Sequence, residues 1–224
     1  MRNEVMLMWH QDIFNQLEKM GDSEQGEKMS AYMQGRFPFL GVPKPDLKRY
    51  IKPYLKESRK LEFDWDFVHR CWGKPYREAQ YIAVEYILLN EKQLLDQDIN
   101  NIQKLITEKS WWDTVDSLDS VAGTIVLKYP YLKAVMRQWS KSDNIWLCRA
   151  SIDFQQKYKE KTDTVLLEEI ICNNLGTNEF FINKAIGWSL RDYSKVNPEW
   201  VIDFLRKHKN NLSALSMKEA SKYL

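Results

Sequence analysis

An apolar stripe at helical spacing that returns after a fixed interval limits this chain more than any other feature. In YREAQYIAVEYILLN, residues 76–90, Ala79, Ala83, Tyr86 and Ile87 fall three and four apart, the period of one helix face. The same stripe recurs through Leu147, Ala150, Ser151, Phe154 and Tyr158, and again through Ile182, Ala185, Ile186, Ser189 and Tyr193. Laying CRASIDF (148–154) on NKAIGWS (183–189) takes a shift of 35, and QYIAVEY (80–86) lies 68 before the first of these, close to two such steps. The middle copy then falls on TVDSLDS (114–120). Alternation of period two is nowhere sustained, and Asn-Gly and Asp-Gly hairpin pairs are absent. The pattern predicts an all-α chain of about a dozen short helices. A helix-pair repeat of this length fits an α-solenoid of HEAT-like units, whose inner helices stack into a concave binding face, and a helical bundle satisfies the same faint internal identity.

Eight glycines and seven prolines are few for 224 residues, and the prolines fall mostly between periodic segments. Pro38, Gly41, Pro43 and Pro45 predict a turn followed by a helix with Asp46 near its start. No domain boundary is drawn there, and 1–224 is expected to be a single repeat domain. GDSEQGEKM (21–29) reads as a mobile loop, and the helices within 1–40 are candidates for movement. Thirty-three basic against 31 acidic residues give a formal charge of +2, so any nucleic-acid argument must rest on patches. Cys71, Cys148 and Cys172 are odd in number and far apart, which argues against a disulfide framework and against a CxxC metal site. His10, His69 and His208 are too scattered for a His-rich centre, so no metal or cofactor is expected. The opening MRNEVMLMWHQDIFNQLEKM breaks its apolar residues with charges, unlike a secretion signal, and no window is long enough for a membrane span. A cytoplasmic, monomeric protein without membrane contact is the expectation.

Sorting side chains by helix face isolates the unusual residues. Trp111, Val115, Leu118, Ala122 and Ile125 form the core stripe of S-W-W-D-T-V-D-S-L-D and its continuation. Asp116 lies off that stripe with Trp112 one turn before it on the same side. Asp113 and Asp119 read as a solvated acidic face. In the next repeat Arg149 points away from Leu147, Ala150 and Phe154. In the one after, Lys184, Trp188 and Arg191 point away from Ile182, Ala185 and Ile186. In a solenoid these groups converge on one surface. The ordinary alternative is that Trp146 and Trp188 pack between repeats and the arginines pair with acidic neighbours. Cations interleaved with aromatic rings suit nucleic acid. A carboxylate among them would repel phosphate, unless the ligand is positively charged at that point.

Four strings, F-P-F-L-G, S-W-W-D-T-V-D, N-I-W-L-C-R-A and F-F-I-N-K-A-I-G-W-S-L-R-D-Y, resemble the AlkD-type DNA alkylation repair glycosylases, which are HEAT-like repeat proteins. The resemblance runs from about residue 25 to 220, with the strings in the family's order. It implies excision of cationic N-alkylated purines, such as 3-methyladenine and 7-methylguanine, from double-stranded DNA, without a cofactor and without a deep base pocket. By motif position the family's catalytic carboxylate falls on Asp116, its aromatic neighbour on Trp112, and the remaining cleft residues on Arg149 and Trp188. Tyr32, in M-S-A-Y, and Lys157 fall on DNA-contacting positions, and Lys44, Lys48, Lys184 and Arg191 are further candidates for phosphate. Pro43 stands where relatives carry small polar residues, and Cys148 where a polar residue is expected.

The implied chemistry accounts for the lone acid. An alkylated purine leaves as a neutral base, so the enzyme's task is to stabilise the sugar cation. Asp116 would supply the anion and orient water, with the Trp112 and Trp188 rings against the deoxyribose. Arg149, Lys157 and Lys184 would hold phosphates. The rival reading is a non-catalytic HEAT-like scaffold that binds DNA or protein.

Overall fold

The computed structural model describes residues 12–224, so the first eleven residues, including His10 and half of the expected opening helix, lie outside the described region. Every regular element among the described residues is helical, with thirteen α-helices joined by short 3-10 turns and no strand. None is long and apolar enough to cross a membrane. The chain divides into two compact units, Met1–Leu94 and Leu95–Leu224.

The first unit holds α1 (residues 12–19), α2 (Ser23–Tyr32), α3 (Lys44–Ser58), α4 (Trp65–Gly73) and α5 (Arg77–Asn90). The polar stretch GDSEQGEKM is not a loop. Asp22 caps α2 by accepting from the Gln25 amide at 3.0 Å, and the helix runs on from Ser23. Gly26 lies against the backbone of Phe39 and Leu40, which requires this segment to be ordered helix. The predicted turn at Pro38–Pro45 is present, and α3 begins at Lys44 with Asp46 in its first turn.

Helix α5 is buried almost all round, so the stripe seen in sequence is only part of its packed surface. Its polar side chains replace water with backbone groups, as burial demands. The fully buried Glu78 accepts from the amides of Leu40, Gly41 and Val42 at 3.0, 2.8 and 3.1 Å. Gln80 donates to the carbonyls of Cys71 and Lys74 at 3.0 and 3.1 Å. Arg77, also buried, stacks on Phe37 at 3.8 Å. The string F-P-F-L-G is therefore clamped from beneath by Arg77 and Glu78. Gly41 sits at φ +96°, and a β-carbon there would fall 1.9 Å from the Asp22 carbonyl oxygen, so this turn admits only glycine.

The second unit comprises α6 (Ile99–Thr107), α7 (Trp112–Lys128), α8 (Lys133–Trp139), α9 (Ile145–Asp153), α10 (Thr164–Cys172), α11 (Phe180–Ser194), α12 (Pro198–Lys207) and α13 (Ala214–Ala220). Alternate helices stack on one another, α7 on α9, α9 on α11 and α11 on α13, while α6, α8, α10 and α12 lie beside them as a second row. This is the helix-pair repeat expected from the shift of 35. Trp111, Trp146 and Phe181, a ring column in sequence with each 35 residues after the last, pack mutually as a triad with centroids 5.6, 4.9 and 5.0 Å apart. The polar cross-ties run at intervals close to this, 35, 37 and 33 residues. The Tyr158 hydroxyl donates to the Gly123 carbonyl at 2.6 Å, Ser189 to Ile152 at 3.2 Å and Ser216 to Asn183 at 2.7 Å. In the second row Trp139 donates to Gln103 at 3.2 Å and Arg137 pairs with Glu169 at 2.8 Å.

The stripe Trp111, Val115, Leu118, Ala122 and Ile125 is buried as predicted. Asp113 and Asp119 are buried too, at 8 % and 5 % exposure, which corrects the expected solvated acidic face. The reason is architectural. A stacked helix packs against its partner in the second row and against the next helix in its own row, so it has two buried flanks where an isolated amphipathic helix has one.

Helix α7 and the end of α9 approach closely at Gly123, where a β-carbon would stand 2.1 Å from the Phe154 carbonyl oxygen. Gly123→Ala gains up to ~1 kcal/mol of helix propensity. It must also push α7 away from the end of α9, at a cost of about 1–3 kcal/mol for overpacking against rigid backbone. We expect net destabilisation, read as a melting temperature lower by about 4 °C. A variant as stable as the parent would show that α7 and α9 are not held at this separation.

Candidate functional site

Arg149 is the centre of the site. Its helix α9 starts at Asn144, which caps by accepting from the Trp146 amide at 2.9 Å. Cys148, the unexpected residue at this end, is buried and donates its thiol to the Ser142 carbonyl at 3.0 Å, tying down the α8–α9 connection. One residue on, Arg149 enters the space between α7 and α11 and is 1 % exposed.

Its guanidinium reaches three elements. Nε donates to Asp116 Oδ1 on α7 at 2.8 Å, Nη1 donates to the Phe181 carbonyl on α11 at 2.7 Å, and Nη2 stands 3.7 Å from Asp153 Oδ2 one turn along α9. In this arrangement the guanidinium is committed to protein groups on all sides. Its geometry fits the holding of Asp116. That carboxylate is the outermost member, with 28 % of its side chain exposed. The paired-arginine alternative weighed from sequence thus describes Arg149 correctly, yet the ion pair leaves Asp116 accessible.

Two further acids lie behind the pair. Asp153 and Asp119 are 2 % and 5 % exposed, so the charges of three carboxyls act on one guanidinium, with Asp116 and Asp153 in direct reach of it. Burial raises Asp153 to about 7, with the Asp116 charge adding to it and Arg149 opposing it. Burial likewise pushes Asp119 well above the usual carboxylate range, helped by the charges of Asp153 and Asp116. Both inner carboxyls are thus displaced towards the protonated form. Burial works against the Arg149 cation, and Asp153 and Asp116 overcome it, so Arg149 stays charged. Gln156 donates to Asp153 Oδ1 at 2.6 Å and fixes that carboxyl.

Above Arg149 lies the half-buried Trp188 of α11, with the guanidinium 5.4 Å from its ring centroid. Lys184 and Arg191 flank the same ring at 5.4 and 5.7 Å. Both are off the core stripe, as predicted, and both are paired. Glu219 of α13 binds Lys184 at 2.7 Å and Arg191 at 2.5 Å, and the hydrogen bond from Lys184 holds its carboxyl below the usual range. Trp146 is a packing residue of the ring column, as its alternative reading had it. Trp112 is half-buried one turn before Asp116, and Lys157 is exposed in the turn after α9.

The second unit thus gathers Asp116, Arg149, Trp188, Lys184 and Arg191 into one connected cluster, with Trp112 adjoining on α7. Tyr32, Lys44 and Lys48 belong to the first unit. Tyr32 is 73 % exposed at the end of α2. Lys44 lies 4.3 Å over the Tyr81 ring, and Lys48 pairs with Glu85 at 2.7 Å. Pro43 is the residue that starts α3, so its departure serves the helix start. Asp153 and Glu219 were not singled out from sequence, and Asp119 was read there as a surface acid. Two carried a signal: Asp153 is four residues after Arg149 on one helix, and Glu219 is one repeat of 35 after Lys184.

A family model for "DNA alkylation repair enzyme" matches residues 13–224. A solved structure described as a predicted DNA alkylation repair enzyme from Enterococcus faecalis superposes with a TM-score of 0.83 at 34 % identity, covering 91 % of this chain and 96 % of that one. No curated protein gives a significant match.

The buried acids give stability a distinct pH dependence. A carboxyl whose pKa is raised by folding favours the folded state while protonated. Its contribution is whole below about 4 and is lost as pH rises towards about 7 for Asp153. Asp153→Asn keeps the shape and the contact to Gln156 but cannot ionise. We expect the variant to match the parent near pH 4 and to be the more stable of the two at pH 8 in urea denaturation. Equal slopes between those pH values would mean that Asp153 ionises without cost.

Proposed function

We propose, from the premise that the chain belongs to the DNA alkylation repair enzyme family, that it hydrolyses the N-glycosidic bond of cationic N-alkylated purines in duplex DNA. The substrates are 3-methyladenine and 7-methylguanine. The observation that carries this reading is Asp116: an accessible carboxylate locked at 2.8 Å by a buried arginine, next to the Trp188 ring and the three cations that flank it. A passive DNA scaffold has no use for an anion there.

The reaction asks little of an acid catalyst, because the alkylated base already carries the charge that it loses on leaving. Positive charge develops on the deoxyribose. Asp116 faces that charge, stabilises it and orients the water that attacks the sugar carbon. Arg149 makes the carboxylate rigid, so little reorganisation is needed as charge develops. Because Arg149 also answers to Asp153 and the Phe181 carbonyl, its charge is only partly spent on Asp116. Trp112 and Trp188 offer ring faces to the same cation. Lys157, Lys184 and Arg191, with Tyr32, Lys44 and Lys48 of the first unit, supply contacts to the DNA backbone. Lys184 and Arg191 reach phosphate by sharing or leaving Glu219. The protein acts as a monomer, and the cleavage itself calls for no cofactor.

DNA treated with a methylating agent, incubated with the protein and scored for released 3-methyladenine and 7-methylguanine, tests this. Asp116→Asn should bind DNA like the parent and lose excision by about 10²-fold or more. A parent that binds the DNA and releases no base would be a scaffold. Unchanged excision by the variant would remove Asp116 from the mechanism.

A further inference from the structure

Away from this cluster, in the row of helices formed by α8, α10 and α12, three side chains of different chemistry meet. Glu168 and Cys172 are one turn apart on α10, and His208 follows the last residue of α12. His208 Nε2 lies 2.9 Å from Glu168 Oε1 and 3.8 Å from Cys172 Sγ. The carboxylate oxygen, the thiol sulfur and the imidazole nitrogen all fall within 4.8 Å of one another. Among the described residues this is the one such group of three metal-ligating side chains. The histidine is 40 residues from the glutamate and 36 from the cysteine. Scattered in sequence, the donors are brought together by repeat stacking, which is why counting histidines missed them.

We infer that Glu168, Cys172 and His208 form a zinc site that joins the second-row helices of two consecutive repeats, with water completing a tetrahedron. Zinc binds thiolate at about 2.3 Å and imidazole and carboxylate at about 2.0–2.2 Å, so donors around it stand about 3.3–3.6 Å apart. The two separations from His208 are within an ångström of that, and the third donor pair is no more than 4.8 Å apart. A mixed sulfur, nitrogen and oxygen set selects zinc over magnesium or calcium, which want oxygen alone.

One contact competes. The Lys207 ammonium also binds Glu168 Oε1, at 2.8 Å. It occupies the carboxylate as a metal would, and it must move away when zinc binds. Formation of the Zn–S bond releases the Cys172 thiol proton to solvent. Because the thiol must give up that proton, affinity increases with pH. His208 binds through Nε2 and keeps its proton on Nδ1.

Cobalt(II) is the probe, added to tag-free full-length protein and followed by its visible bands and its thiolate-to-metal charge-transfer band. Cys71 and Cys148 are buried and Cys172 is exposed, so a charge-transfer band reports Cys172. We expect one cobalt per chain, displaced by one zinc, and a melting temperature raised by about 5 °C at a zinc concentration about a hundredfold above its dissociation constant. Cys172→Ser should abolish the charge-transfer band, and His208→Ala should weaken binding by about 100-fold, both with an unchanged circular dichroism spectrum. Lys207→Met removes the competing cation and should tighten binding, which a loose surface association would not show. Absence of the band in the parent, or its survival in Cys172→Ser, overturns the site. Base release from methylated DNA is not part of this readout, so the zinc site and the glycosylase reading fail separately.

Discussion

A single guanidinium, buried where three stacked helices meet, is the constraint on which the second unit depends. Arg149 is bound to a side chain of α7, a carbonyl of α11 and a carboxyl of its own helix, so α7 and α11 are positioned through it. Removing one partner from such a buried pair typically costs about 3–5 kcal/mol, because the charge left behind has no water. Hydrophobic burial builds the stack, and Arg149 then selects its register at this level. The same contact aims Asp116. Holding the fold and holding Asp116 are therefore one interaction, and a change at Arg149 will disturb both.

The three carboxyls around it extend the point. A low-dielectric site cannot sustain three anions against one cation, and the raised values of Asp119 and Asp153 express this. Of the three carboxyls the exposed member keeps the best solvated position and the shortest bond to Arg149, and burial pushes the inner two towards the protonated form. The order of burial sorts the charge, with the negative end directed outward.

Much of the fold was legible in the sequence. The stripes were readable because one flank of each helix meets the core at a 3.6-residue period, and the interval of 35 was readable because stacking repeats it. What escaped was the second buried flank. Asp113 and Asp119 look like surface residues on a helical wheel, and only the neighbouring repeat shows otherwise. Glu78 and Arg77 escaped for a similar reason, since their partners are backbone amides, a carbonyl and a ring in a distant turn. GDSEQGEKM was misread because polarity outweighed the capping signal of Asp22. Within the site, the motif positions brought Asp116, Arg149 and Trp188 together, but they carried no sign that Arg149 is enclosed. Enclosure depends on what the two flanking helices bring to it.

The column of positions spaced by one repeat has an implication for how such chains vary. Thr114, Arg149, Lys184 and Glu219 occupy equivalent places on α7, α9, α11 and α13. Adding one residue inside a stacked helix would turn everything beyond it by about 100° and separate the ion pairs, the ring column and the hydroxyl ties together. Length changes should thus be confined to the connections, where a loop can bulge without passing rotation on. Homologues of differing length can keep the same ladder of contacts, provided that each helix starts at the same angle to its neighbour.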